Sequence, residues 1–346
     1  MVALALALVL PLALGAPART SSLAFVGDVC FRELPTTDGL FDAVRPLLER
    51  ADLAVGNLEG LLLDDPVDAF RDPRINITAH SRFAAALAGS GLDLVGLSNN
   101  HTWDHGAAGL VEHLGHLARA HVASFGAARD EASARAAQRI ELPAGCVAIV
   151  PATFKSNKRP PATTEAFAAT YAIDDPAPLV ARLAEERARG CLVVAYVHAG
   201  RERAALPTRE VRRAFAELAA AADLVVGHHP HVLEGVALPH DPGDAVVAYS
   251  LGNFLFVNRD ADKRRSGVLE VTISPGALAG PGAQGATRPV ITRVALAPVT
   301  IDARTYLPRP ATDAEARQTV KVLADRSRPF GTRVDWDGAR VVFSRP

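Results

Sequence analysis

The sequence predicts an α/β fold, and three observations support this. Short runs rich in Val, Ile, Leu and Ala recur at residues 23–26, 52–56, 92–97, 191–197, 223–226 and 245–250, each with the length and composition of a buried strand. Segments with apolar residues at helical spacing lie between most of them, as at residues 107–119, 178–189 and 209–222. Most of the strand-like runs also end in Asp, Asn, Glu or His, several introduced by glycine, and the carboxyl edge of a sheet is where α/β proteins carry their reactive groups.

The chain has 346 residues, 49% of them hydrophobic and 22% charged, enough to bury a large core in one sizeable domain or two smaller ones. Its formal net charge is −1, so no nucleic-acid partner is expected, and the basic run at residues 155–159 is short and broken by a polar residue. Residues 1–15 are apolar and uncharged and are followed by Ala16-Pro17-Ala18, which reads as the core of an export signal or a membrane anchor without a basic N-terminal region. No other run is long and apolar enough to span a bilayer. The three cysteines, Cys30, Cys146 and Cys191, are an odd number, two of them inside apolar runs, and they are read as buried thiols rather than a disulfide framework.

In order, residues 23–26 form the first strand and run into Gly27-Asp28-Val29-Cys30. This places a carboxylate at the sheet edge; the alternative is a helix-capping aspartate. Residues 40–50 read as an amphipathic helix, and the strand at 52–56 ends in Asn57-Leu58-Glu59-Gly60. Here an amide and a carboxylate two residues apart project to the same side of an extended backbone. A helix covers residues 81–88, and the strand at 92–97 delivers Ser98-Asn99-Asn100-His101-Thr102-Trp103-Asp104 into a loop. The Asn100 amide oxygen, the His101 imidazole and the Asp104 carboxylate can hold a metal ion, deliver a proton and orient the imidazole; equally, they suit a polar turn that caps the next helix.

Residues 121–126 form another short strand, and residues 139–142 and 146–151 pair around Pro143-Ala144-Gly145. Residues 154–170 are polar and aperiodic, a loop suited to covering a site or to decorating the surface. The strand at 191–197 ends at His198, a position fit for a metal ligand or a structural histidine, and the strand at 223–226 delivers Gly227-His228-His229-Pro230-His231. Three histidines within four residues are hard to explain as core packing, and the spacing of His229 and His231 lets both imidazoles face one pocket. After the strand at 245–250 come a charged loop at 258–265, a strand at 268–273, a Gly/Pro/Ala-rich insertion at 275–287, a strand at 290–299, a helix at 313–327 and a hairpin turning at Asp337-Gly338.

Oxygen donors combined with imidazoles, without paired cysteines, favour Mn²⁺, Fe²⁺ or Zn²⁺ in a catalytic site over a structural zinc. Two such ions can activate water and hold both oxygens of an in-line displacement at phosphorus. In their order and spacing, the segments GDVCF, NLEG, LSNNHTWDHG, HAGRE, VVGHHPHVLEG and YSLGNFLF resemble the capsule-synthesis CapA family, the poly-γ-glutamate biosynthesis proteins within the calcineurin-like metallophosphoesterases. The resemblance spans roughly residues 22–273 and implies a four-layer αββα sandwich with two divalent metal ions at the strand ends.

By that resemblance Asp28 binds the first ion, Glu59 bridges, Asn100 and His198 bind the second with His229, and His231 joins the first. His101 is the catalytic acid and Asp104 its partner. Asn57, His228 and Cys30 are possible additional ligands, and Cys30 stands where most calcineurin-like phosphoesterases carry a histidine. The domain expectation is a signal or anchor at residues 1–20, the phosphoesterase-type domain at 21–274, and a C-terminal extension at 275–346 packing on it. The functional expectation is an exported or envelope-associated protein that makes, anchors or exports an anionic polymer. It would act on that polymer or a phosphoester beside membrane subunits of a polymer synthase. A non-catalytic polymer-binding subunit and an intracellular, cytoplasmic phosphoesterase are the alternatives.

Overall fold

The structure, a computed structural model, describes residues 19–66, 76–157, 166–239, 245–276 and 288–345. The expected signal or anchor lies almost wholly outside the described residues, as do residues 158–165 of the aperiodic loop and most of the 275–287 insertion.

The strands that build the site are β1 (Ser21–Val29), β2 (Leu53–Leu58), β3 (Leu94–Gly96), β4 (Gly145–Thr153), β5 (Leu192–His198), β6 (Leu224–His228), β7 (Val246–Ala248), β8 (Asn253–Leu255), β9 (Arg265–Ser274) and β10 (Val290–Ile301). One sheet runs β10-β9-β1-β2-β3, with β1, β2 and β3 parallel and β9 antiparallel to β1; the other runs β7-β6-β5-β4, all parallel. The longer helices among the described residues are α1 (Phe83–Ala88), α2 (Gly106–Arg119), α3 (Ala177–Ala188), α4 (Arg209–Ala219) and α5 (Asp313–Ser327).

Strand alternation sets the layers. On β1, Leu23 and Phe25 join Ile149 of β4, Tyr196 of β5 and Val226 of β6 in a core between the two sheets. Ala24 and Val26, pointing the other way, join Leu87 of α1 and Leu110 of α2. On β5 the odd residues Val193, Ala195 and Val197 pack with Leu183 of α3 and Phe215 of α4. Each fully buried Leu, Val or Phe in these layers contributes roughly 1.5–3 kcal/mol. Helix, sheet, sheet and helix thus stack as a four-layer αββα sandwich.

Two expectations are corrected. The helix read over residues 40–50 is a short one, Arg45–Leu48, because Pro46 has no N–H to bond the preceding turn and can occupy only a first turn. Cys146 and Cys191 are not separate buried thiols but a disulfide, Cα to Cα 4.5 Å. The register of β4 and β5 aligns Val147 with Leu192, so the preceding residues, Cys146 and Cys191, meet at the amino ends of these strands. Cys30 remains a buried free thiol.

Candidate metal-binding site

Because β1, β2, β3, β5 and β6 run parallel within their sheets, their carboxyl ends lie on common edges, and the two facing sheets bring those edges together. Asp28 sits at the end of β1 beside Asn57 of β2, in register, and Glu59 follows one residue past β2. Asn100, His101 and Asp104 lie in the loop between β3 and α2, and His198 and His228 end β5 and β6 as a register pair.

Glycine makes the close approach possible. A Cβ on Gly27 would meet the Gly252 carbonyl oxygen at 2.0 Å and one on Gly227 the Tyr249 oxygen at 1.9 Å, because the chain crosses here from β7 in one sheet to β8 in the other. His229 (φ 99°) and His231 (φ 59°) hold left-handed backbone conformations, which cost about 1–3 kcal/mol each and turn both rings toward the site.

One donor atom each from Asp28, Glu59 and His231 lies within 4.8 Å of the others. His231 Nδ1 is 3.1 Å from Asp28 Oδ2 and 3.0 Å from Asn253 Oδ1, and its Nε2 is 3.7 Å from Glu59 Oε1. Asn57 Nδ2 donates to Asp28 Oδ1 at 2.8 Å and stands 3.4 Å from His198 Nδ1. The other nitrogen of that ring, Nε2, is 2.7 Å from Asn100 Oδ1. The His229 ring lies 4.9 Å from that of His198 and 5.8 Å from that of His231, centroid to centroid. His101 Nδ1 contacts Asp104 Oδ2 at 2.6 Å, and its Nε2 points to Glu59 Oε1 at 3.6 Å.

All these groups are buried. Burial pushes the Glu59 carboxyl up to about 7, against the opposing charge of His231. For Asp28, burial also acts upward but is outweighed by hydrogen bonds from His228 and His231, so its pKa falls well below the usual carboxylate range. Burial and the charge of His231 hold His229 down to about 3, keeping it a neutral donor, and burial likewise depresses His198. Both carboxylate oxygens of Glu59 and both ring nitrogens of His229 are buried with no hydrogen-bond partner among the described residues. Orphaned donors of this kind, oxygen and imidazole together, fit a divalent metal ion, which satisfies lone pairs that no protein group reaches.

Of the possible additional residues, Asn57 fixes Asp28, and His228 lies 3.5 Å from Asp28 with its ring 4.5 Å from Tyr196 between the sheets. Cys30 is buried with its thiol pushed up by desolvation, so it is a poor ligand in this state. Two participants lack a sequence-stated role. Asn253 carries the same strand-end signal as Asp28, a polar residue behind glycine, and it is paired with Asp28 across β1 and β8. Asn157 Oδ1 accepts from Asn100 Nδ2 at 3.3 Å, and its Nδ2 stands 3.4 Å from His101 Nδ1; the sequence marks the aperiodic loop that carries it as one that could cover a site, but not this residue.

Residues 22–258 match the family model described as bacterial capsule synthesis protein PGA_cap. The chain is 27% identical over 252 residues to the PGA biosynthesis protein CapA of Bacillus subtilis, covering 68% of this chain and 63% of that one. It is 29% identical over 234 residues to the capsule biosynthesis protein CapA of Bacillus anthracis, covering 64% and 54%. It thus spans less than two thirds of the length of either relative. A protein of Staphylococcus aureus assigned as a 5'-nucleotidase, solved with α-ketoglutarate, superposes with a TM-score of 0.50 at 13% identity, covering 88% of this chain and 58% of that one; the likeness speaks to the fold alone. With more than half of its length matching that family model, on an αββα sandwich whose strand ends gather side chains that could hold a metal ion, the chain belongs to the bacterial capsule synthesis protein family.

Proposed function

We propose that this chain is a cell-envelope protein for making, anchoring or exporting an anionic polymer such as poly-γ-glutamate, and that its strand-end site is a metal-dependent phosphoesterase centre. The observation that carries the catalytic reading is the convergence of Asp28, Glu59 and His231 within 4.8 Å, with the His101–Asp104 pair beside them. Asp28 and His231 would hold one ion and Asn100, His198 and His229 a second, with the Glu59 carboxylate available to both. Ions held there supply Lewis-acid stabilisation at a phosphoryl oxygen and a more acidic water. The protein's own part is positional and acid–base. Asn57 fixes Asp28, Asp104 fixes His101 through Nδ1, and Nε2 of His101 is left to protonate the departing oxygen.

Family membership supports the envelope process, and the Cys146–Cys191 disulfide supports export, since such bonds persist outside the reducing cytosol. Among the described residues no helix is long and apolar enough to cross a membrane. An anionic polymer or phosphoester as substrate, and membrane subunits of the synthase as partners, complete the reading.

The test is hydrolysis of a bis-aryl phosphodiester and an aryl monophosphate with added Mn²⁺, in wild type, His101→Ala and His231→Ala. Turnover that requires metal and is lost in His231→Ala is expected, with His101→Ala losing far more on an ester with a poor alkyl leaving group than on these activated aryl esters. Metal-loaded wild type that turns over neither ester favours a polymer-binding subunit, the reading that Cys30 at a usual histidine-ligand position supports.

A further inference from the structure

The mouth of the site is a cavity of about 220 Å³ whose wall includes His101, His231, Arg32, Glu202, Phe256 and Lys263. Lys263 is only 6% exposed, yet among the described residues no carboxylate lies within ion-pair distance of its ammonium. Three carboxylates, Glu202, Asp260 and Glu59, act on it from beyond ion-pair distance; Glu202 and Asp260 are exposed, and Glu59 faces His101 and His231.

The backbone of Lys263 is tied to the metal-binding residues: its carbonyl accepts Asn253 Nδ2 at 3.0 Å, and Asn253 Oδ1 contacts His231 Nδ1 at 3.0 Å. An ammonium on a side chain this buried, facing the cavity with no carboxylate in contact, gains by pairing with an anion that enters there. Burial accordingly lowers its pKa from the usual lysine value.

We propose that Lys263 is a substrate-binding residue that grips a non-bridging phosphoryl oxygen of a phosphate ester as it enters the cavity beside His101 and His231. This rests on the phosphoesterase reading and adds the group that recognises the anionic head of the substrate. Lys suits the task as a compact point charge with three rotatable donors.

The test is a calorimetric titration of inorganic phosphate into the Mn²⁺-loaded protein, in wild type, Lys263→Met and Lys263→Arg, with metal content measured in each. Lys263→Met is expected to weaken phosphate binding roughly ten- to hundredfold at unchanged metal content, the loss expected for a hydrogen bond to a charged group. Lys263→Arg recovers part of it, and KM for the aryl monophosphate rises more than kcat falls. Unchanged phosphate binding in Lys263→Met, alongside metal-dependent turnover in wild type, overturns this assignment and leaves the phosphoesterase reading standing. Metal-loaded wild type that neither binds phosphate nor cleaves either ester overturns both. Loss of metal in Lys263→Met also overturns it, because the lysine then supports the metal-binding residues rather than the substrate.

Discussion

Asp104 holds His101 through a 2.6 Å contact to Nδ1, and the same carboxylate oxygen accepts the Ile77 backbone N–H at 2.6 Å, which fixes the carboxylate as well as the imidazole. Burial works against a charged His101, but the hydrogen bond to Asp104 and the charge of Glu59 outweigh it, so the pKa is raised. A protonated imidazole aimed at the site is what a general acid requires. His101→Ala is expected to lower kcat on a poor leaving group by roughly 10²–10⁴-fold. Asp104→Asn should forfeit part of that factor with little change in KM, since it disturbs a group used in the transition state. Equal losses on an activated aryl leaving group, which needs no proton, would contradict the acid role.

Glu59 and Asp28 are buried with donor atoms within 4.8 Å of each other, and desolvation pushes Glu59 up to about 7. Bound cations remove that penalty, so Mn²⁺ should raise the melting temperature. At a hundred times Kd the linkage contributes about 2.7 kcal/mol. Asp28→Asn and Glu59→Gln should abolish that rise and lower metal content, while metal-free Glu59→Gln melts no lower than metal-free wild type at pH 8. Variants that melt well below wild type and still take up metal would point to a structural role for these carboxylates.

Much of this site could be read along the chain because each strand end announces itself locally. Gly27-Asp28 and Gly227-His228 are strand ends where only glycine clears a neighbouring carbonyl, and the helix expected over residues 313–327 is found at those bounds as α5, begun by a Thr312–Glu315 capping box. What escaped depends on proximity across the fold. Cys146 and Cys191 are 45 residues apart and meet only because β4 and β5 are parallel neighbours in a particular register. Asn253 showed the local signal but acquires a role only through its pairing with Asp28. Lys263 resembles any loop lysine until the fold buries it against the cavity.

The disulfide closes a 45-residue separation at the amino ends of β4 and β5, away from the site at their carboxyl ends. A cross-link of this span stabilises by about 2–4 kcal/mol, largely by restricting the unfolded chain. Alkylation of the unfolded, unreduced protein should therefore label Cys30 alone, and labelling after reduction should add Cys146 and Cys191. Cys146→Ser should lower the melting temperature by several degrees and leave metal content unchanged. Labelling of all three cysteines before reduction in protein isolated from its native compartment would remove the support this bond gives to export.

Glu234 lies three residues beyond His231, 2% exposed, with neither carboxylate oxygen hydrogen-bonded among the described residues. Burial pushes its pKa from 4.5 up to about 8, with the Arg326 guanidinium acting weakly the other way. Its folded pKa is above its unfolded one, so the folded state holds this proton more tightly. The associated stability is complete below about pH 4.5, falls as pH rises toward 8, and changes no further above that. At 1.36 kcal/mol per unit, ionisation of this group in the unfolded chain lowers folding stability by roughly 3 kcal/mol at pH 7 relative to pH 4.5. Glu234→Gln keeps the shape and removes the titration. It should melt close to wild type at pH 5 and clearly above it at pH 8. A difference between variant and wild type that is the same at both pH values would show that Glu234 is not the group behind the loss.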